Sequence, residues 1–128
     1  MTALLDTCAL LWWWSEPERL SRRALSLIKD PTNDFWVSAA SAWEIATKYR
    51  IGKYPNGRAI IEDWQKRLLE DGFKELAIGF DHALKAGTLQ GEHRDPFDRM
   101  IAVQSIISAL PVITSDREIA GLGAETLW

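Results

Sequence analysis

The sequence predicts an α/β fold in which a mostly parallel central sheet of four to five strands is flanked by helices on both faces. Two observations carry this. The most strand-like segments, Ala3-Leu4-Leu5, Phe35-Trp36-Val37 and Pro111-Val112-Ile113-Thr114, are short apolar runs, the pattern of strands buried on both faces. Between them lie longer stretches with apolar residues at helical spacing, and that alternation builds a parallel sheet wrapped by helices. At 128 residues the chain fits one domain, taken as 1–128, with length enough to bury a sizeable core.

Each element follows from local signals. Ala3-Leu4-Leu5 stops at Asp6 and the helix-permissive stretch Thr7 to Trp14 begins at once, so a strand leads into a helix capped by Asp6 or Thr7. Leu20, Ala24, Leu27 and Ile28 recur at helical spacing, and Asp30-Pro31 ends this second helix. Thr32-Asn33-Asp34 reads as a turn before the second strand, which Ser38 closes. Ala39 to Arg50 is helical until Gly52 and Pro55-Asn56-Gly57 break it. Arg58 to Glu70 reads as one amphipathic helix with Ile61, Trp64 and Leu68 on one side and Gly72 as its stop. Phe73 to Ile78 alternates loosely, as an edge strand does, and His82 to Leu89 is a short helix. A long helix opens at Asp95 and ends near Ala109; Pro111 to Thr114 is a buried strand with Ser115-Asp116 at its tip. A short helix over Arg117 to Gly121 and a last strand, Glu125-Thr126-Leu127, complete the chain.

Composition excludes several classes. A formal net charge of −3 gives no global basic field to attract nucleic acid, so a polyanion needs local basic residues or bound metal. The single cysteine, Cys8, rules out a disulfide framework and a multi-cysteine zinc site, and fits a reducing, cytoplasmic setting. The apolar run Cys8 to Trp14 follows Asp6 without a basic segment and is too short to cross a bilayer, so neither a signal peptide nor a membrane span is expected.

The functional signal is acidic. Asp95-Pro96 is the pattern of an N-cap followed by proline at the first helical position, which sets Asp98 in the first turn. Asp6 and Asp116 each follow a predicted strand, and Glu44 lies one to two turns into the helix after the second strand. In a parallel sheet the C-terminal strand ends share one edge, where such folds place ligands. Each acid taken alone also reads as a helix cap, and Ser41-Ala42-Trp43-Glu44 matches a capping box. As a set, converging carboxylates repel and raise one another's pKa values unless a cation compensates them. Mg²⁺ or Mn²⁺ suits oxygen ligands, with His82 and His93 as further candidates. A metal so held lowers the pKa of a water and neutralises charge in phosphodiester displacement.

Four segments in order, Leu4-Leu5-Asp6-Thr7, Val37 to Ala46, His93 to Arg99 and Thr114-Ser115-Asp116-Arg117, resemble PIN-domain nucleases, and more narrowly the VapC-type toxins of toxin–antitoxin pairs. The resemblance covers nearly the whole chain. It implies a PIN-like three-layer sandwich and an endoribonuclease that cleaves RNA with a metal-activated water, leaving a 5′-phosphate and a 3′-hydroxyl. It also implies a homodimer silenced by a cognate antitoxin. Carried over by position, Asp6, Glu44, Asp98 and Asp116 match the acidic quartet, with Asp6 and Asp98 as the direct metal ligands. Asp98 is preferred to Asp95 because it directly precedes the Arg-Met-Ile-Ala turn. Thr7, Ser38, Thr114 and Ser115 are then candidates to orient carboxylates, with local capping as the alternative role. Asp95, Arg99 and Lys48 are candidates for the surroundings or for substrate. Cys8 departs from the family, where many relatives carry histidine.

Two features bear on partners. Trp12, Trp13 and Trp14 are consecutive, and a helix cannot turn all three inward, so at least one is expected to be exposed or half-exposed, as core packing or as an apolar surface for a dimer mate or antitoxin segment. Lys48, Arg50, Lys53 and Arg58 form a basic stretch where RNA phosphates could lie, or simply a solvated helix surface. The competing functions are an aspartyl-phosphate phosphotransfer domain, which wants a second aspartate where Cys8 stands, and a non-catalytic PIN-like binding module whose acids are only caps.

Overall fold

The computed structural model describes residues Met1–Trp128. Five strands form one sheet: β1 (Thr2–Leu5), β2 (Asp34–Ser38), β3 (Lys74–Leu76), β4 (Val112–Ile113) and β5 (Thr126–Leu127), in the order β3-β2-β1-β4-β5. Every pair is parallel, with Leu4 opposite both Trp36 and Val112 and Leu5 opposite Val37 and Ile113. The edge strand expected from Phe73 to Ile78 shortens to three residues and is parallel like the rest. The helices are α1 (Thr7–Ser15), α2 (Arg22–Lys29), α3 (Ala39–Arg50), α4 (Gly57–Glu62), α5 (Trp64–Asp71), α6 (Phe80–Thr88), α7 (Pro96–Ser108) and α8 (Arg117–Gly121). No helix is long and apolar enough to cross a membrane.

The sheet divides two apolar clusters by its period of two. Ala3, Leu5, Phe35, Val37 and Ile113 pack against α1, α2, α4 and α5 through Leu10, Ile28, Ile60 and Leu68. On the other face Leu4 and Val112 meet Ile101 and Ala102 of α7 and Ile119 of α8. Because both faces are covered, the strands read as continuous apolar runs rather than alternating ones. One buried polar link ties the layers: the Ser38 hydroxyl donates to Gln104 Oε1 at 2.5 Å, and Gln104 Nε2 donates to the Ala77 carbonyl at 3.2 Å.

Two expectations from the sequence are corrected. The helix predicted over Arg58 to Glu70 is two helices meeting at Asp63, whose amide ends α4 on the Ala59 carbonyl and whose carbonyl accepts from Arg67 in α5. The break sets Ile60, Trp64 and Leu68 against the core and leaves Ile61 outside. The capping box at Ser41 does not form either. Ser38 caps α3 through the Ala40 amide, and Glu44 turns inward. The three consecutive tryptophans are all half-buried, because α5 and the C-terminus cover what α1 cannot turn inward: Trp13 and Trp14 both donate to Asp71 Oδ2, at 3.1 and 2.8 Å, and Trp12 meets Trp128 edge-on.

Ile101, in the second turn of α7, is fully buried and packs with Leu4 and Val112 of the sheet and Ile119 of α8. Ile101→Ala should lower unfolding stability by about 2–5 kcal/mol, seen as a lower urea midpoint at unchanged slope.

Candidate active site

Because β1, β2 and β4 run the same way, the segments that leave them emerge together. Asp6 follows β1 directly and caps α1, accepting from the Ala9 amide at 2.6 Å. Thr114 follows β4 and donates its hydroxyl to the other oxygen of Asp6, while that hydroxyl accepts from the Asp116 amide at 2.9 Å. Asp116 in turn caps α8, accepting from the Glu118 amide at 2.9 Å. At the start of α7, Asp95 is the cap and accepts from the amides of Phe97 and Asp98 at 2.9 and 3.3 Å. Asp98 is thus free of capping duty. Its carboxylate pairs with His93 Nε2 at 2.9 Å.

The structure brings Asp6, Glu44, Asp98 and Asp116 to one cleft of about 340 Å³, with Asp95 beside them. Thr7, Ser115, Lys48, Cys8 and Trp12 also line it. Glu44 is only 4% exposed; Lys48, one turn on, holds one of its oxygens at 2.5 Å. Its other oxygen, Oε1, is buried with no hydrogen-bond partner. A buried carboxylate oxygen left so costs several kcal/mol of lost hydration, roughly, unless a cation or donor meets it.

The charges are held under tension. Burial, partly offset by the Thr114 and Ala9 hydrogen bonds, pushes Asp6 from 3.8 to about 6, with Asp98 and Asp116 adding to the rise. Asp98 is likewise pushed to about 6 by burial, against the His93 hydrogen bond and with Asp95, Glu44 and Asp116 raising it further. His93 is drawn above its ordinary value, first by its bond to Asp98. Burial alone would lower the Lys48 amine, but the bond to Glu44 and its charge outweigh this and hold it above the usual lysine value. Although Cys8 is exposed, desolvation by the surrounding side chains and then the acids push its thiol up to about 11, so it is protonated at neutral pH and no nucleophile.

The donor set fits a hard divalent cation. It is oxygen-rich, it carries more negative charge than Lys48 and His93 offset, and it holds one unpartnered carboxylate oxygen. Oxygens of Asp98 and Asp116 and a ring nitrogen of His93 already lie within 4.8 Å of one another.

The remaining sequence candidates take other positions. Thr7 donates to Ser41 Oγ at 2.9 Å, and Ser38 to Gln104, so neither hydroxyl reaches a carboxylate. Arg99 is wholly committed to backbone: it donates to the carbonyls of Ala86 and His93, each at 3.0 Å, and to that of Leu89. It therefore pins the segment that carries His93. His82 is buried outside the cleft, accepting from the Gly79 amide at 3.0 Å. Of the basic stretch only Lys48 reaches the cleft; Arg58 pairs with Glu62 at 2.9 Å. Sequence reasoning missed Glu118, whose carboxylate binds His93 Nδ1 at 2.7 Å and fixes the ring from behind. Its place three residues after Ser115 was the available signal, but pairing with His93 depends on α8 packing beside α7.

Comparison with known proteins gives the family of this fold. The PIN domain model matches residues 3–124. A segment of 58 residues, 45% of the chain, is 38% identical to Ribonuclease VapC16 of Mycobacterium tuberculosis; it spans 40% of that protein's length. The fold is similar to FitAcB from Neisseria gonorrhoeae, with a TM-score of 0.66 at 17% identity, covering 100% of this chain and 97% of that one. It is also similar to VapBC-5 from Mycobacterium tuberculosis, a member of the VapBC family of toxin–antitoxin systems, with a TM-score of 0.63 at 19% identity and coverage of 98% and 95%.

A stability profile follows from the raised carboxyls. Between about pH 4 and 6 the folded, metal-free protein holds protons on Asp6 and Asp98 that the unfolded chain has released. Stability therefore falls as pH rises through that window and falls further as His93, held above its ordinary value by Asp98, gives up its proton. Asp6→Asn should abolish much of the fall and leave the metal-free variant more stable than the parent at pH 7 by on the order of 1–3 kcal/mol, checked by urea unfolding in chelator at pH 4, 5, 6 and 7.

Proposed function

Since the chain belongs to the PIN-domain family, we propose that it is a metal-dependent endoribonuclease and the toxin of a toxin–antitoxin pair. The observation that carries this reading is the convergence of four carboxylates on one cleft, with a buried oxygen of Glu44 unpartnered. The similarity to a VapC ribonuclease over part of the chain supports RNA as the substrate, and the fold shared with toxin–antitoxin complexes supports an antitoxin partner. Mg²⁺ or Mn²⁺ is the proposed ion, held by Asp6 and Asp98 with Glu44 and Asp116 around it. When bound, such an ion supplies a water of lowered pKa and neutralises charge on the scissile phosphate.

The chain's own residues do the rest. Thr114 fixes the Asp6 carboxylate by donating to one oxygen while the Ala9 amide holds the other. The pair of His93 and Glu118 orients Asp98, while Asp95 takes the capping load at the start of α7 and so keeps Asp98 available. Lys48 pairs with Glu44 and stands half in solvent, where its ammonium can meet a phosphate oxygen of the strand. Net repulsion between an acidic cleft and RNA makes binding depend on the cation, so chelation should remove affinity as well as turnover.

The test is cleavage of a pool of single-stranded RNA by purified protein in Mn²⁺, in Mg²⁺ and in chelator, beside Asp98→Asn. Cutting should vanish in chelator and fall about 100-fold or more in the variant, at or beyond the upper end of what losing an outer partner of a metal ligand costs. Cutting that survives either control would sink the assignment. Thr114→Val, which removes only the hydroxyl, should weaken Mn²⁺ binding by about 10-fold in a calorimetric titration.

A further inference from the structure

We propose that Trp43 is a base-stacking platform at the rim of the cleft, taking the face of one unpaired nucleobase of the strand whose phosphate lies at the carboxylates. This rests on the ribonuclease reading above and deepens it, because it narrows the substrate to unpaired RNA.

Of the seven tryptophans, Trp43 alone is exposed, at 58%. The others are engaged. Trp12 carries the Arg19 guanidinium 4.6 Å above its ring and meets Trp128 edge-on at 5.8 Å; Trp14 lies between Trp64 at 5.6 Å and Arg67 at 5.5 Å. Trp13 packs on Phe73, and Trp36 has the Lys74 amine over its ring. The single aromatic neighbour of Trp43 is Phe97, at 4.8 Å with planes at 82°. That edge contact holds the indole in one orientation and leaves ring surface open to solvent.

Its place ties it to the chemistry. Trp43 precedes Glu44 in α3, and Phe97 precedes Asp98 in α7, so the aromatic pair joins the two helices that carry half of the acidic quartet. Both acids line the cleft. A large apolar side chain left open on a residue next in sequence to a cleft acid has nothing to gain from water. It has much to gain from a base, whose π face needs no particular hydrogen-bond partner. The charge balance points the same way: with a net charge of −3 and Lys48 as the one basic side chain lining the cleft, the phosphate backbone alone gives little affinity, and stacking is the attraction that the acids do not oppose. A base in a duplex already stacks on both sides, so the platform selects loops and single strands.

The experiment is fluorescence anisotropy of a labelled single-stranded oligoribonucleotide, with Ca²⁺ replacing Mn²⁺ so that carboxylates are neutralised while the strand persists. Wild type, Trp43→Ala and Trp43→Tyr are each titrated with the intact strand and with strands carrying one abasic position. Expected are about 10-fold weaker binding for Trp43→Ala, substantial rescue by tyrosine, and one abasic position that costs wild type a similar factor and costs Trp43→Ala nothing more. Such non-additivity separates stacking from a general loss of fold. Binding by Trp43→Ala equal to wild type, or an abasic penalty unchanged by the substitution, overturns the platform while leaving the nuclease reading intact. A shift of Trp43→Ala from dimer to monomer in sedimentation, with RNA affinity per protomer unchanged, also overturns it and assigns Trp43 to a contact between copies. Failure of wild type both to bind and to cut any strand removes the ribonuclease reading, and the platform with it.

Discussion

Parallel pairing of β1 with β2 on one side and β4 on the other is the constraint on which the cleft depends. Each of these strands hands its C-terminal end to the same edge, so Asp6, the start of α3 and the Thr114-Ser115-Asp116 segment meet there although they are far apart in sequence. A parallel sheet needs a crossover between strands, and helical crossovers cover both faces, which leaves the C-terminal strand ends and the helix starts that follow them to build the cleft.

Gathering acids at that edge opposes folding, and the surrounding groups show how the cost is contained. Thr114 satisfies Asp6, Asp95 relieves Asp98 of capping, and Lys48 and His93 supply the nearby positive charge. Compensation is incomplete: two carboxyls are displaced to about 6, and one oxygen of Glu44 is buried alone. A core arranged only for stability would have replaced these groups with apolar ones. The strain is concentrated on the side that a divalent ion would neutralise.

Residue types that look alike in the sequence are given different work by their neighbours. Of four hydroxyls set at strand ends or first helical turns, Thr114 reaches a carboxylate, Ser38 and Thr7 hold the core and the base of α3, and Ser115 lines the cleft. Arg99 follows Asp98 directly, yet it turns away to bind three carbonyls and acts on the site only by fixing the segment of His93. The tryptophans divide in the same manner, six at least half-buried and Trp43 alone exposed, with Phe97 against its ring.

The sequence by itself determined most strands, most helices and the edge at which acids would gather, because these rest on local signals: apolar runs three or four residues long, caps such as Asp95-Pro96, and the rule that parallel strands share a C-terminal edge. Periodicity could not place the break at Asp63, since both halves of that stretch carry helical spacing and only packing on the sheet decides which face turns inward. It could not tell whether Glu44 caps its helix or turns inward either, as a carboxylate at that position can do both; burial at 4% and the bond to Lys48 show that it turns inward. The links from Thr114 to Asp6 and from His93 to Asp98 and Glu118 belong to tertiary structure alone. They join side chains on separate elements, and no local pattern encodes a distance between elements until the helices have docked on the sheet.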